Sequence, residues 1–358
     1  MTKRLVICCD GTWNTPDQPA PTNVSRVALA VAPADGTGRE QRMFYHPGVG
    51  TRPGERLWGG AFGFGLSRNV CDAYRFLVRT FEPGDELFLL GFSRGAYTVR
   101  SLAGMVRNCG ILRPEHDDRI GDAYALYRAR GSKTHPRSVA AELFRRSYSH
   151  ETRIRFLGVW DTVGSLGIPL SGLRLVNLVN RRWQFHDTEL SSSVDAAYQA
   201  LAIDERRPPF RPTMWHPHAT AGQRVEQVWF SGVHSDVGGG YPERELADIS
   251  LLWMVERAQA CGLAFEPGAF AGAELDPLGP AHESRTGIYK LMRPYVRPLG
   301  SVPGGHEFAA SSAVERHAMI AGYAPNLGTY LAAGGPVLPV RSDEGERFRT
   351  ARPAPEPA

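Results

Sequence analysis

Apolar runs and helix-compatible segments alternate along the N-terminal part of the chain. Three of the runs predict buried β-strands, at residues 4–9 (RLVICC), 42–46 (RMFYH) and 86–92 (ELFLLGF). Residues 22–32 (TNVSRVALAVA), with Thr22 or Asn23 as the N-cap, and residues 66–81 (LSRNVCDAYRFLVRTF) predict helices. Strand, helix, strand, helix, strand is typical of a parallel sheet that helices cover on both faces.

The same pattern continues in the second half of the chain. Residues 153–161 (RIRFLGVWD) and 225–234 (VEQVWFSGVH) predict two more buried strands. Residues 246–262 predict an amphipathic helix that ends at Gly262. The expected fold class is therefore α/β, with a mostly parallel central sheet and helices on both faces.

Two polar segments are too long to be plain connections in a compact domain. Residues 112–150 are arginine-rich and weakly helical, and residues 166–220 are irregular. We interpret both segments as helical or loop insertions that cap the carboxyl edge of the sheet. The prediction is a single domain over residues 1–340, followed by a flexible C-terminal tail at residues 341–358 that has no apolar period.

Charge and cysteine usage narrow the class of protein. The formal charge of +4 is spread along the 358 residues, and nearly all of the basic residues are arginine. A nucleic-acid partner is not expected, because that function requires basic residues gathered on one face. The five cysteines form no C-x-x-C pair, which indicates small core residues in a reducing compartment.

The apolar run that follows MTKR is only five residues long. This is far shorter than a signal-peptide core, and no later run is long enough to span a bilayer. We therefore expect a cytoplasmic protein without stable membrane insertion. Secretion by a route that leaves the N-terminus uncut would leave no mark in the sequence.

Residues 86–100 (ELFLLGFSRGAYTVR) place Gly91, Ser93 and Gly95 at alternate positions between a strand and a helix. A nucleophilic serine in such a turn needs glycine two residues on either side, because a neighbouring Cβ would clash. The spacings of glycine-rich phosphate loops are not present. The stretch therefore predicts a nucleophile elbow with Ser93 at its tip, and a small residue in a plain turn is the alternative.

A serine hydroxyl needs a base and an orienting acid to become a good nucleophile. Of the eleven histidines, only His234 follows directly on a predicted buried strand. Asp161 ends another strand, where an unpaired carboxylate after apolar residues would be costly. The chain order Ser93, Asp161, His234 is that of the α/β hydrolases, so a Ser-His-Asp triad on an α/β-hydrolase fold is predicted.

The oxyanion of a tetrahedral intermediate needs two N–H donors. We assign one to the backbone of Arg94, directly after Ser93. The other is assigned to Gly11 and Thr12 in the stretch CCDGTWN, which follows the first strand.

Asp10 and Asp236 are secondary candidates for the site. Asp236 competes for the acid role, but so close to His234 in sequence it is expected to brace its own loop. Asp10 lies in a stretch similar to the D-x-D-G-T opening of haloacid-dehalogenase phosphatases, but Cys8 replaces their nucleophilic aspartate. Asp10 is therefore expected to shape the loop, with substrate contact as the alternative.

A metal site is the remaining enzymatic alternative. Its ligands would be four side chains: Asp10, Asp161, His234 and Asp236. No H-E-x-x-H motif or close pair of histidine and cysteine residues supports it, so neither a metal nor a cofactor is expected.

Four blocks in order resemble one known family: CCDGTWN, GFSRGAYTVRSLAG, FLGVWDTVGSLG and WFSGVHSDVGGGY. They are similar to the signature blocks of the α/β-hydrolase family that shares its catalytic domain with type VI secretion phospholipase effectors of the first lipase class. The later SSAVERHAMIAGYAPNLG is similar to the C-terminal block of that family, although Ser311 replaces a usual histidine and Ala313 a usual valine. The resemblance spans about residues 4–328.

The resemblance implies hydrolysis of a small-molecule or lipid ester through an acyl-enzyme, with the family's triad at Ser93, Asp161 and His234. Related effectors are usually longer and carry extra membrane-docking regions, which makes membrane phospholipid a weaker expectation for the natural substrate. Two alternatives stay open: a phospholipase effector of a type VI secretion system, and a non-catalytic binding protein on a hydrolase scaffold.

Overall fold

A computed structural model describes residues 2–11, 18–48, 61–129, 135–164, 190–216 and 222–340. Its strands are β1 (Arg4–Cys9), β2 (Gln41–His46), β3 (Glu86–Phe92), β4 (Ile111–Leu112), β5 (Ser149–His150), β6 (Ile154–Trp160), β7 (Ala196–Ala202), β8 (Arg224–Phe230), β9 (Glu307–Ala310) and β10 (Val337–Leu338). Its α-helices are α1 (Asn23–Ala30), α2 (Ala61–Thr80), α3 (Arg94–Cys109), α4 (Ile120–Arg128), α5 (Val139–Tyr148), α6 (His234–Gly238), α7 (Glu245–Ala260), α8 (Ser311–Met319) and α9 (Pro325–Ala332).

Within the described residues, eight strands form one sheet in the order β10-β9-β8-β7-β6-β3-β1-β2. Every pairing in this sheet is parallel, so the carboxyl ends of its strands share one edge. The strand order reverses at β1, which lies between β2 and β3. A crevice at such a reversal is where open α/β sheets bind their ligands.

Both faces of the sheet are covered, and alternate residues of each central strand enter different cores. In β1, Val6 and Cys8 pack in the core that contains α1 and α7. Leu5 and Ile7 pack in the opposite core with α2 and α3. This two-sided burial explains why the central strands have continuous apolar sequences without alternation. The predicted α/β-hydrolase type of fold is confirmed.

The predicted strands 4–9 and 86–92 agree with β1 and β3 at both ends. The predicted strand at residues 225–234 is too long. Its strand β8 ends at Phe230, because Gly232 adopts a φ of 99° that turns the chain, and His234 begins α6. The predicted helix 246–262 is α7, which ends at Ala260.

The interpretation of residues 166–220 as a cap is wrong for residues 196–202. These residues form β7, which is fully buried between β6 and β8. Its sequence, AAYQALA, contains four alanines and a glutamine, so it lacks the β-branched residues that predict a strand. Residues 165–189 of the same segment lie outside the described residues.

The other predicted insertion, residues 112–150, contains α4 and α5 and packs beside α3. The described part of the predicted single domain reaches residue 340. The predicted tail at residues 341–358 lies outside the described residues.

Candidate active site

Ser93 lies on a strained turn between β3 and α3. Its φ of 57° and ψ of −117° are unusual for a residue with a side chain. The turn also leaves no room for a Cβ on the flanking glycines: at Gly91 it would lie 2.6 Å from the carbonyl oxygen of Gly95. At Gly95 it would lie 2.0 Å from the carbonyl oxygen of Cys9 in β1. The two glycines are therefore required by the close approach of α3 to β3 and β1.

Asp161 follows β6 directly and has a φ of 38°. Its side chain is fully buried and accepts four hydrogen bonds. One comes from Nδ1 of His234 at 2.5 Å, and one comes from the backbone N–H of Ala202 at 3.1 Å. The other two come from the guanidinium of Arg297, at 2.6 Å to Oδ1 and 3.0 Å to Oδ2.

Burial by itself would raise the pKa of Asp161. The charge of Arg297 opposes this effect most strongly, followed by the hydrogen bond and the charge of His234. Together they hold the pKa of Asp161 well below its usual range. Asp161 is therefore a carboxylate at neutral pH, the state in which it can orient an imidazole.

The imidazole of His234 contacts two aromatic rings. Phe92, which immediately precedes Ser93, lies with its ring centroid 4.6 Å away, and Phe210 meets the imidazole edge-on at 5.0 Å. Because Nδ1 is bonded to Asp161, Nε2 is the nitrogen that remains for proton transfer. Within the described residues, no hydrogen bond joins Ser93 to His234. Such bonds are often long in ligand-free enzymes and tighten when substrate binds.

Two further residues at this site have no counterpart in the sequence-based prediction. Arg297 is completely buried, and besides Asp161 it donates to the carbonyl oxygens of Ala202 and Phe210. Glu205, also completely buried, accepts from the backbone N–H of His234 at 3.3 Å and is paired with the guanidinium of Arg207 at 2.8 Å.

No pattern in the sequence indicates these two residues. Arg297 is one of 41 basic residues and lies in a polar segment outside any predicted element. Glu205 follows β7, and its position at the end of a strand is visible only once β7 is known. The sequence offers only an indirect indication of them: a carboxylate at Asp161, after a run of apolar residues, needs a partner that offsets its charge.

Asp10 and Asp236 each hold a loop next to the site. Asp10 accepts from the hydroxyls of Thr22 at 2.6 Å and Tyr45 at 2.8 Å. Asp236 accepts from the backbone N–H of Val233 at 2.9 Å, and His282 Nδ1 lies 2.6 Å from its Oδ1. These contacts hold both carboxylates within the loops next to the site, and the roles of the two residues stay predictions. Among the described residues, no group of three or more acidic, histidine or cysteine side chains is placed to hold a metal ion.

The predicted oxyanion donors differ in what surrounds them. The N–H of Arg94 lies at the first residue of α3, directly after the Ser93 turn. The N–H of Gly11 donates to Oδ1 of Asp10 at 2.6 Å, and Thr12 lies outside the described residues. Both oxyanion donors therefore stay predictions.

The parallel sheet, the turn after β3 that carries Ser93, and the Asp-His pair in the connections after β6 and β8 define an α/β-hydrolase type of domain. Comparison with known families makes this assignment more specific. Residues 3–257 match the model of the family described as T6SS, phospholipase effector Tle1-like, catalytic domain, and the chain belongs to this family. The resemblance inferred from the four sequence blocks is thereby confirmed.

Several individual proteins are similar to the chain. The uncharacterized protein YEL023C of Saccharomyces cerevisiae is 30% identical over 238 residues, which are 60% of this chain and 33% of that protein. An uncharacterized Pseudomonas aeruginosa protein of known crystal structure is 19% identical, with a TM-score of 0.46 over 74% of this chain and 46% of the other. The Tle1 effector bound to the VgrG spike of the type VI secretion system is 20% identical, with a TM-score of 0.40 over 68% and 52% of the two chains.

The chain thus spans about a third of the curated relative and about half of each structural relative. In the residues that the structure describes, no helix is both long enough and apolar enough to cross a membrane.

Proposed function

We propose that the chain hydrolyses carboxylic ester bonds of lipids through an acyl-enzyme formed on Ser93. The observation that carries the proposal is the buried Asp161–His234 pair, which lies at the same sheet edge as the strained Ser93 turn. Membership of a family of phospholipase-type catalytic domains supports a lipid ester as the substrate.

In the proposed reaction, Nε2 of His234 takes the hydroxyl proton while Oγ of Ser93 attacks the ester carbonyl carbon. The backbone N–H of Arg94 donates to the resulting oxyanion, and the loop after β1 supplies the second donor. His234 then protonates the leaving alcohol, and water hydrolyses the acyl-enzyme by the same route in reverse. Asp161 stays charged throughout and holds the imidazole in one tautomer.

The test replaces the nucleophile in the full chain. We expect Ser93→Ala to lower kcat for a soluble short-chain ester by about 10³-fold or more. A fluorophosphonate probe should label the parent and not the variant. Ser235→Ala is the matched control, since it changes a nearby serine on α6 that has no place in the proposed reaction.

Retention of activity and labelling by Ser93→Ala would contradict the proposal. A parent that binds lipid but neither hydrolyses esters nor reacts with the probe would instead identify a non-catalytic binding protein on a hydrolase scaffold.

A second candidate function is that of a type VI secretion effector, and the family match favours it specifically. The prediction is that the chain leaves producing cells only when the secretion apparatus is intact. Measurement of the tagged chain in culture supernatants, with and without a functional apparatus, tests this role separately from hydrolysis.

A further inference from the structure

A short turn beside the candidate active site exposes two large apolar side chains. We call it the rim turn, and it is the 3₁₀ helix Gly287–Leu291. Ile288 is 59% exposed and Leu291 is 87% exposed. Residues three apart in a 3₁₀ helix lie one above the other, so these two side chains share one side of the turn.

Hydrogen bonds within its own loop hold the rim turn in shape. The guanidinium of Arg285 donates to the carbonyl oxygens of Lys290 at 3.3 Å and Met292 at 2.8 Å. The backbone N–H of Tyr289 donates to the carbonyl oxygen of Thr286 at 3.1 Å. Exposure of the apolar pair is therefore a feature of the folded loop, held by specific hydrogen bonds.

The other side of the rim turn faces the candidate active site. The ring of Tyr289 lies 6.2 Å from the ring of Phe210, and Phe210 packs edge-on against His234. Two aromatic contacts thus connect the rim turn to the imidazole. The apolar pair projects from a turn that borders the site at which the ester must arrive.

The rim turn and the residues that directly follow it carry positive charge. Lys290 and Arg293 are both exposed, and residues 287–298 contain no acidic residue. Exposed apolar side chains flanked by basic ones are the combination that binds the surface of an anionic bilayer: the apolar groups enter the acyl boundary and the cations attract the headgroups.

We propose that the rim turn is a lipid-contact surface, through which Ile288 and Leu291 insert into an anionic bilayer and bring the Ser93 site to its substrate. The proposal rests on the proposed function, because a membrane is the partner expected of an enzyme that acts on lipid esters. It differs from the expectation based on the sequence, in which membrane phospholipid was the weaker candidate for the natural substrate.

The test uses the full chain with the double variant Ile288→Ser/Leu291→Ser. Binding is measured by co-sedimentation with vesicles of phosphatidylcholine and phosphatidylserine. We expect the apparent affinity to fall about tenfold or more, since each buried methylene contributes strongly to membrane partition. Hydrolysis of vesicle phospholipid should fall with it, whereas kcat/KM for a soluble short-chain ester should stay within about twofold.

The matched control is Val139→Ser/Leu143→Ser on α5. These side chains are 73% and 58% exposed, four residues apart, and α5 packs beside α3 and the β4–β5 pair. The control variant should bind vesicles as the parent does. A third variant, Lys290→Gln/Arg293→Gln, should lose roughly fivefold in affinity per charge on vesicles with phosphatidylserine, and little on vesicles of phosphatidylcholine alone.

Three results would overturn the proposal. One is parent-like vesicle binding by Ile288→Ser/Leu291→Ser, and another is an equal loss by the control. The third is a change of oligomeric state, measured by light scattering, with vesicle binding intact, because that result would identify a protein contact. Failure of the parent to hydrolyse any ester would contradict the proposed function, whereas co-sedimentation would still test the rim turn.

Discussion

The carboxylate of Asp161 illustrates how a buried charge is kept in this protein. It is surrounded by an arginine, a histidine and a backbone N–H, and all of its oxygen lone pairs face donors. Breaking such a buried pair by removing one partner usually costs about 3–5 kcal/mol, because the remaining charge is left without compensation. Arg297 is therefore expected to affect both the stability of the fold and the charge of Asp161.

Replacement of Arg297 tests this role through the pH dependence of activity. In Arg297→Met, burial still raises the pKa of Asp161, but the charge that opposes it most strongly is gone. The pKa must then rise, and below it a protonated Asp161 no longer orients His234. We expect the acid limb of kcat/KM for a soluble ester to move to higher pH, and Arg297→Lys to show a smaller shift.

Arg316→Met is the control for a purely structural effect. Arg316 is also buried, and it donates to the carbonyl oxygens of Pro277 and Gly279 rather than to Asp161 or His234. This variant should lose stability without a shift of the acid limb. An unchanged acid limb in folded Arg297→Met would contradict the assignment of Arg297 as a positioning residue for Asp161.

Replacement of Arg94 distinguishes the role of its side chain from the role of its backbone N–H. Burial lowers the pKa of its guanidinium to about 10, with Tyr289 opposing the shift. The N–H proposed for the oxyanion is unchanged in Arg94→Ala. We therefore expect kcat to fall by about tenfold or less, in contrast to the loss in Ser93→Ala. Steady-state kinetics on a soluble ester measures both, and equal losses would contradict this division.

At the scale of elements, the site depends on how closely α3 approaches the strands. The start of α3 lies against the end of β1, and Gly95 allows the contact. Its nearest neighbours are backbone atoms of Cys9 and Asp10, which cannot move aside as a flexible side chain would. The elbow and the loop after β1 are therefore packed as one unit.

A single methyl group tests this packing. We expect Gly95→Ala to lower the free energy of unfolding by at least about 3 kcal/mol, measured by urea denaturation. Gly121→Ala is the control, because Gly121 lies in α4 and a Cβ added there would have no neighbour within 4 Å. That change should raise stability by up to about 1 kcal/mol. Equal stability of the two variants would show that α3 can move away from β1.

The elements that could be predicted are those whose buried residues form one continuous apolar run in the sequence. β1 and β3 are uninterrupted apolar runs bounded by polar turns, and Ser93 and Asp161 follow such runs. β7 could not be predicted, because its alanines do not favour a strand by themselves. The strand is stabilised only by its pairing with the neighbouring strands on both sides. Arg297 could not be assigned either, since its contact with Asp161 joins residues 136 positions apart.

At the scale of the whole molecule, the two cores shield the thiols. All five cysteines are free, and burial raises the pKa of each one, to about 11 for the half-buried Cys71 and to about 12 for Cys109. Neutral, buried thiols react slowly. The folded protein should therefore expose at most Cys71 to a thiol reagent at neutral pH, and unfolding in guanidinium should release all five.

Counting labelled thiols by mass spectrometry during slow unfolding checks this expectation. Simultaneous labelling of the four core cysteines would indicate that both faces of the sheet open together. Labelling of two or more thiols in the native protein would contradict the packing described for the cores.

The ion pair between Asp161 and Arg297 also limits which parts of this domain can be separated from each other without disrupting the site. Residues matched by the family model end at 257, inside α7, whereas Arg297 and the strand β9 that covers β8 come later. A graft that ended at residue 257 would transfer Ser93 and Asp161 without the guanidinium of Arg297 that balances the Asp161 carboxylate. We therefore expect an active chimaera of this chain to need the later segment that carries Arg297, or another cation in its place.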